Sequence, residues 1–180
     1  MELLVFLISI LLVLGAVLFL IFEIYAIIIG HLKGAPFVRS KKEKIQIMLE
    51  LADIRSGEWV YDLGSGDGTL MMEAACRGAN AVGIEINPFL CLYSRWRIRR
   101  LGIKNASIVR SDFRKISLAR ADVILLYLWP STIEKLKEKL SQELKPGSRI
   151  ISNGFPIKGW NHIMEKDNVY LYGRRSIGTQ

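Results

Sequence analysis

Three acidic side chains and three alternating glycines are the residues of this 180-residue chain whose types and spacing point to chemistry. Asp62-Leu-Gly64-Ser65-Gly66-Asp-Gly68 follows one short apolar run and precedes a helical stretch, so it falls where a strand turns into a helix. Glycines at that turn let the backbone bend sharply and approach a ligand closely. The first amides of the helix then face the same ligand. Glu85 closes the next apolar run, 21 residues after Gly64, where a carboxylate can accept hydrogen bonds from both ribose hydroxyls of a nucleoside. Asp112 follows a third run within Ser111-Asp112-Phe113; taken alone it reads as a helix-cap residue. The group as a whole suggests nucleoside binding. A nicotinamide site would favour G-x-G-x-x-G, whereas these glycines alternate behind an acid. Another nucleotide site, or a glycine turn without a ligand, remains the alternative.

The elements that must position these groups alternate along the chain. Strands are predicted at 58–63, 81–86, 106–109, 122–128 and 149–151, most of them unbroken apolar runs. Between them lie helical stretches at 69–77, 88–100 and 131–144, stopped by Gly78, Gly102 and Pro146-Gly147. Ser131 and Glu134 have capping-box spacing, and Ile133, Leu136, Leu140 and Leu144 share one face. Ser40 and Glu43 have the same capping spacing ahead of a helix carrying Ile45, Met48, Leu49 and Ala52. Such alternation predicts an α/β domain with a doubly wound, mostly parallel sheet whose ligand lies beyond the carboxyl ends of the strands. Residues 168–172 are expected to add an antiparallel hairpin.

Composition excludes disorder and a disulfide-stapled mini-domain, with 51% apolar residues and Lys+Arg 25 against Asp+Glu 17. Cys76 and Cys91 give no metal-ligand spacing and are expected to be reduced core thiols, so no metal is expected. From Leu3 to Phe22 the chain holds no charge, and 17 of these 20 residues are Leu, Ile, Val or Phe. At ~1.5 Å per residue they reach ~30 Å, the thickness of a bilayer core. The segment lacks the basic leading region and small-residue cleavage site of a signal peptide, so a permanent anchor over residues 1–29 is expected, ahead of one domain over 30–180. Lys33, Arg39, Lys41, Lys42 and Lys44 follow the span and nothing basic precedes it. By the positive-inside rule the protein is then a single-pass protein of the cell membrane with its carboxyl-terminal domain in the cytoplasm.

Asp62, the alternating glycines, Glu85 and Asp112 resemble the class I S-adenosylmethionine-dependent methyltransferases, which have a Rossmann-like fold. That resemblance implies that Asp62 helps hold the amino group of S-adenosylmethionine, Glu85 its ribose and Asp112 its adenine, with Gly64, Ser65, Gly66, Gly68 and Phe113 also around the cofactor. Gly34-Ala-Pro-Phe37-Val38, Gly83-Ile-Glu-Ile-Asn-Pro-Phe89, Tyr93-Ser-Arg95 and Phe155-Pro156 followed by Trp160 resemble a narrower group. It comprises the membrane-anchored protein-lysine methyltransferases of the mitochondrial ADP/ATP carrier and the ATP synthase c-subunit, with their prokaryotic relatives. Two positions depart from that group: Asn153-Gly154 stand ahead of the Phe-Pro pair, and the fourth strand ends in Tyr127-Leu-Trp129-Pro130.

The resemblance implies transfer of a methyl group to a lysine. A free lysine with pKa ~10.4 must be neutralised at a cost of about 4.6 kcal/mol at pH 7. An apolar aromatic channel can supply most of that by desolvating the ammonium. Phe37, Tyr127, Trp129, Phe155 and Trp160 flank strand ends or the preceding loop and are the channel candidates. His31 and His162 lie in no motif, so no histidine base is expected. An anchor raises the local concentration of substrates in the same membrane. The expected partner is therefore a membrane protein with a lysine near the cytoplasmic face. A methyltransferase for a lipid or quinone-like molecule, and a membrane-tethered nucleoside-binding module without catalysis, are the alternatives. The basic stretch Arg95-Trp-Arg-Ile-Arg-Arg100 reads as a solvated face or a contact with anionic lipid. Nucleic acid is not the expected partner, because Tyr127-Leu-Trp-Pro130 lacks the Asn/Asp-Pro-Pro-aromatic motif of base-amine methylases.

Overall fold

A proline-free run rich in Leu, Ile, Val and Phe carries the first element, α1 (Glu2–Lys33), whose portion Glu2–Ile24 is long and apolar enough to cross a membrane. The computed structural model describes residues 1–33 and 40–173. Contacts divide the chain into two units, Met1–Phe37 and Val38–Gln180.

The second unit is an α/β domain with seven strands: β1 (Trp59–Leu63), β2 (Asn80–Glu85), β3 (Ala106–Arg110), β4 (Val123–Leu126), β5 (Arg149–Asn153), β6 (Met164–Lys166) and β7 (Val169–Gly173). They form one sheet in the order β3-β2-β1-β4-β5-β7-β6. The first five are parallel, and the β6–β7 hairpin adds to β5 antiparallel. Its two-residue turn, Asp167-Asn168, has positive φ at both positions (51° and 55°), the conformation that matches the twist of a tight hairpin. Asn168 therefore belongs to the turn, and the strand begins at Val169.

Alternation along each strand sends side chains to two cores. On one face Val60, Ala81, Val123, Leu125 and Ile151 meet α2 (Lys42–Ala52), α3 (Thr69–Cys76) and α4 (Pro88–Arg100). On the other, Tyr61, Leu63, Ile84, Ile124, Leu126 and Ile150 meet α5 (Pro130–Glu143) through Ile133, Leu136 and Leu140, with Leu144 at its end. Both faces of the sheet are thus covered, as the alternation predicts. Truncating the fully buried Leu136 to Ala should cost about 2–5 kcal/mol.

Two expected caps are absent. Helix α2 begins at Lys42 after Lys41, with no side-chain cap bond, so Ser40 does not form the capping box. Helix α5 begins at Pro130 rather than Ser131, again without a side-chain cap bond. Proline at the first helical position fixes φ and lacks the amide that a cap would satisfy, which places Ser131 inside the helix. Of the two free cysteines, Cys91 is buried as expected, but Cys76 is exposed at the end of α3, where the chain turns out of the core.

Candidate active site

The carboxyl ends of the five parallel strands line one edge of the domain. In sheet order they present Asp112 after β3, Glu85 at the end of β2, the glycine turn after β1, Tyr127 and Trp129 after β4, and Phe155 after β5. Every described residue of the two predicted groups except Trp160 falls on this edge. Phe37 lies outside the described residues.

The turn is built by glycine conformation and cross-links. Gly64, Gly66 and Gly68 have φ of 80°, 54° and 73°, values that side chains rarely adopt. A Cβ at Gly64 would also lie 3.1 Å from Leu128 Cδ2, and one at Gly68 would lie 3.0 Å from Ser94 Oγ. The amides of Gly64 and Ser65 both donate to the Ile84 carbonyl, which folds the turn over the end of β2. There the Gly66 amide donates to Glu85 Oε2 at 2.9 Å. Glu85 Oε1 accepts from the amides of Ile86 and Asn87, both at 2.8 Å. A carboxylate offers roughly four acceptor positions; Glu85 uses three on backbone and keeps about one for a ligand. Its work in the fold is to clamp the turn.

Further cross-links come from α4, which Asn87 caps by accepting from the amides of Phe89 and Leu90. The fully buried Ser94 donates to the Gly66 carbonyl at 3.2 Å. Arg97 donates to the Asp67 carbonyl at 2.8 Å and to Thr69 Oγ1 at 2.7 Å, and pairs with the Asp67 carboxylate at 3.3 Å. Arg97 is therefore not part of a solvated basic face. Ser94 and Arg97 were not among the expected site residues. Ser94 could have been noticed as a polar residue between Cys91 and Ile98 on the buried face of α4. For Arg97 the spacing gives no signal.

Asp62 and Ser65 differ from their neighbours. Both are nearly sealed, at 4% and 7% exposure, yet Asp62 Oδ2 and Ser65 Oγ have no hydrogen-bond partner. Buried polar groups without partners are rare and costly. Burial, followed by the nearby Glu85 charge, pushes the Asp62 carboxyl up from its ordinary 3.8 to about 7. A positively charged ligand group would remedy both. Close packing holds Ser65 in place: a Cβ at Gly83 would lie 2.7 Å from Ser65 Oγ and 2.6 Å from Ile108 Cδ1. Asp112 caps the turn Phe113–Lys115 by accepting from the Arg114 amide, and its carboxylate pairs with the Arg114 side chain at 2.6 Å. That pairing holds its carboxyl below the ordinary range. Its neighbour Ser111 donates its amide to the Glu85 carbonyl, so the acids of β2 and β3 stand side by side. Phe113 is half-buried against the core on the α5 face.

Beyond β4 and β5 the construction is aromatic. The rings of Trp129 and Phe155 stack at 5.9 Å, and Gly154, which has φ of 83°, brings the backbone after β5 close to the Tyr127 ring. Phe155 is half-buried, whereas Tyr127 and Trp129 are 37% and 48% exposed. Trp160 instead packs edge-on against Tyr172 of β7. An acid-lined glycine cradle thus adjoins an apolar platform open to solvent.

The chain is similar to known proteins across this edge. The family model described as the ANTKMT methyltransferase domain matches residues 62–164, which begin at Asp62 and include the rest of this edge. A protein-lysine N-methyltransferase of Saccharolobus islandicus (strain REY15A) is 36% identical over 73% of this chain and 84% of its own length. The ATP synthase c-subunit lysine N-methyltransferase of Rattus norvegicus is 34% identical over 81% of this chain and 69% of its own. Among solved structures, an RNA methyltransferase from Salinibacter ruber in complex with S-adenosyl-L-homocysteine superposes with a TM-score of 0.74. It is 34% identical, over 76% of this chain and 93% of that one. The buried acid with one unpaired oxygen, the clamped glycine turn and these likenesses agree: the chain is an S-adenosylmethionine-dependent methyltransferase that belongs to the ANTKMT methyltransferase domain family.

Proposed function

We propose that this enzyme methylates a lysine of an integral membrane protein, close to the cytoplasmic face of the membrane that α1 would span. The likeness to the Saccharolobus islandicus protein-lysine N-methyltransferase carries the lysine reading. The names of two further relatives, methyltransferases of the ATP synthase c-subunit and of the adenine nucleotide translocase, favour a membrane protein as the target. The apolar stretch of α1 followed by Lys33 favours a span with the domain on the cytoplasmic side.

S-adenosylmethionine, when bound, supplies a methyl carbon on a cationic sulfonium. In this reading Asp62 Oδ2 takes the donor's ammonium group, and Ser65 Oγ gains the partner it lacks. Glu85 uses its remaining acceptor position on a ribose hydroxyl while its other oxygens hold the turn. Asp112 and Phe113 border the adenine, with Gly64, Gly66 and Gly68 allowing close approach. Tyr127, Trp129 and Phe155 have two tasks. Their apolar faces disfavour the lysine ammonium and so lower its pKa towards neutrality, and their electron-rich faces tolerate the cationic donor. Holding the neutral amine in line with the methyl carbon supplies the rest of the rate. The lysine proton leaves to water as the amine enters, so no titratable base is required of the chain.

A second reading, transfer to RNA, is favoured by the name of the Salinibacter ruber structure. Intact mass spectrometry of host membrane proteins, with and without the enzyme, separates the two. Loss of methylation at a lysine on removing the enzyme is the expected result, and unchanged membrane proteins with undermethylated RNA would reverse the assignment.

A further inference from the structure

Helix α4 is apolar on two sides. Cys91, Ser94 and Ile98 are buried against the sheet. On the opposite side Phe89, Leu92, Tyr93 and Trp96 follow at helical intervals and are between 48% and 66% exposed. Two of its rings are held in place: Tyr93 stacks on Trp96 at 5.8 Å, and the guanidiniums of Arg97 and Arg100 lie 5.7 Å and 5.1 Å from the Tyr93 and Trp96 ring centroids. These two rings therefore have little side-chain freedom left to lose on docking.

The surroundings carry one sign of charge. Between Glu85 and Asp112 there are six Lys or Arg residues and no acid. Arg95 and Arg99 are exposed along one flank of the apolar row and Arg100 at its end. Beside α4, the edge strand β3 adds exposed Arg110 on the same face of the sheet as Ile108. An exposed apolar row rimmed by cations marks a contact surface rather than a solvated face. Trp and Tyr settle at the headgroup level of a bilayer, and clustered arginines pair with anionic lipid. A nucleic acid would use the cations but gain little from Leu92.

We propose that this face of α4 is a docking surface for anionic lipid headgroups, with Leu92 and Trp96 entering the bilayer interface and Arg95, Arg99 and Arg100 pairing with phosphates. The inference goes beyond the methyl-transfer reading and draws from it only that a bilayer lies within reach of the chain. Because α4 begins three residues after Glu85, docking would fix the height of the carboxyl edge above the membrane.

The test uses the full chain with Cys76→Ser and a spin label on Leu92→Cys, reconstituted into phosphatidylcholine vesicles with and without phosphatidylglycerol. A second label on Trp96→Cys repeats the reading. Co-flotation with vesicles reports insertion of α1 independently. With phosphatidylglycerol present, both labels should become accessible to oxygen and protected from an aqueous nickel chelate; in phosphatidylcholine alone they should remain aqueous. Replacing Arg99 and Arg100 together by Gln should lower the docking equilibrium by about thirty-fold, with S-adenosylhomocysteine affinity unchanged. Labels that stay aqueous on both vesicles while the chain floats would overturn the docking and leave the membrane reading intact. A chain that floats with neither vesicle would overturn both. Labels immersed equally without anionic lipid, or sheltered by added RNA instead of vesicles, would also refute the proposal.

Discussion

The two halves of the carboxyl edge are built by opposite means. Around β1, β2 and β3 the groups are cross-linked: Glu85 holds three amides, Ser94 holds Gly66, and Arg97 holds Asp67 and Thr69. Beyond β4 and β5 two exposed rings and a half-buried one are held by stacking and by a close backbone approach. Directional bonds fix the first half to one geometry, as an invariant ligand requires. In the proposed reading the second half would meet its substrate by surface and polarity alone, and substrate choice could change there without breaking the bonds of the cradle.

Substitutions can break that division, and they rank by their effect on cofactor affinity. Glu85→Ala frees three amides and should weaken S-adenosylhomocysteine binding by about a hundred-fold, at ~1.5–3 kcal/mol for hydrogen bonds to a charged group. Calorimetry on the full chain in detergent checks this, and undiminished affinity would show that Glu85 serves neither the turn nor the ribose.

Asp62→Asn should cost about ten-fold in S-adenosylmethionine affinity at neutral pH and should also change two pH profiles. The folded pKa of Asp62, about 7, lies above its ordinary 3.8, so the ligand-free domain binds more protons than the unfolded chain between those values. Stability should accordingly fall as pH rises across that window. Affinity for the cationic donor should rise with pH through about 7, as the carboxyl ionises to meet it. Both slopes should vanish in Asp62→Asn, measured by chemical denaturation and calorimetry; persistence of either would mean that another group titrates.

Gly83→Ala pushes a methyl group against Ser65 and Ile108. Overpacking of this kind costs about 1–3 kcal/mol of stability, and cofactor affinity should fall several-fold as the turn shifts. Denaturant midpoint and calorimetry together read this outcome.

Trp129→Ala should sharpen the comparison from the other side. The ring is about half exposed, so stability should change by less than about 1 kcal/mol. Cofactor affinity should stay within about two-fold, while methyl transfer falls by about ten-fold or more and its pH profile moves to higher pH as the lysine regains water. A parallel loss of cofactor affinity would place Trp129 in the cradle instead.

Much of this was legible in the residues. The alternation of apolar runs with helical stretches locates the parallel strands; β1, β2, β4 and β5 are buried along most of their length and so are largely apolar, whereas the edge strand β3 buries only Ile108. The glycine spacing and the positions of Asp62, Glu85 and Asp112 locate the edge, because carboxyl ends of parallel strands gather there. Other features emerge only from the folded chain. Pro130 outranks Ser131 as the start of α5, since a fixed φ competes with a capping hydroxyl and only packing decides between them. Glu85 was readable as a candidate for the ribose but not as the clamp of the turn, because that bond joins residues 19 apart in the chain. Arg97 lay hidden in a basic run whose other members face solvent. Helical spacing put Arg95 and Arg99 on one face, yet it carried no sign that Asp67 waited beneath Arg97.

The chemical identity of the acceptor is the most direct measurement left. Incubating the full chain with solubilised membranes of its own host and S-adenosylmethionine labelled in the methyl group, then hydrolysing the protein fraction, should recover the label as methylated lysine from an integral membrane protein. Asp62→Asn should lower the yield and Trp129→Ala should lower it further at unchanged cofactor binding. Label recovered in the lipid extract or in RNA, with none in lysine, would contradict the account.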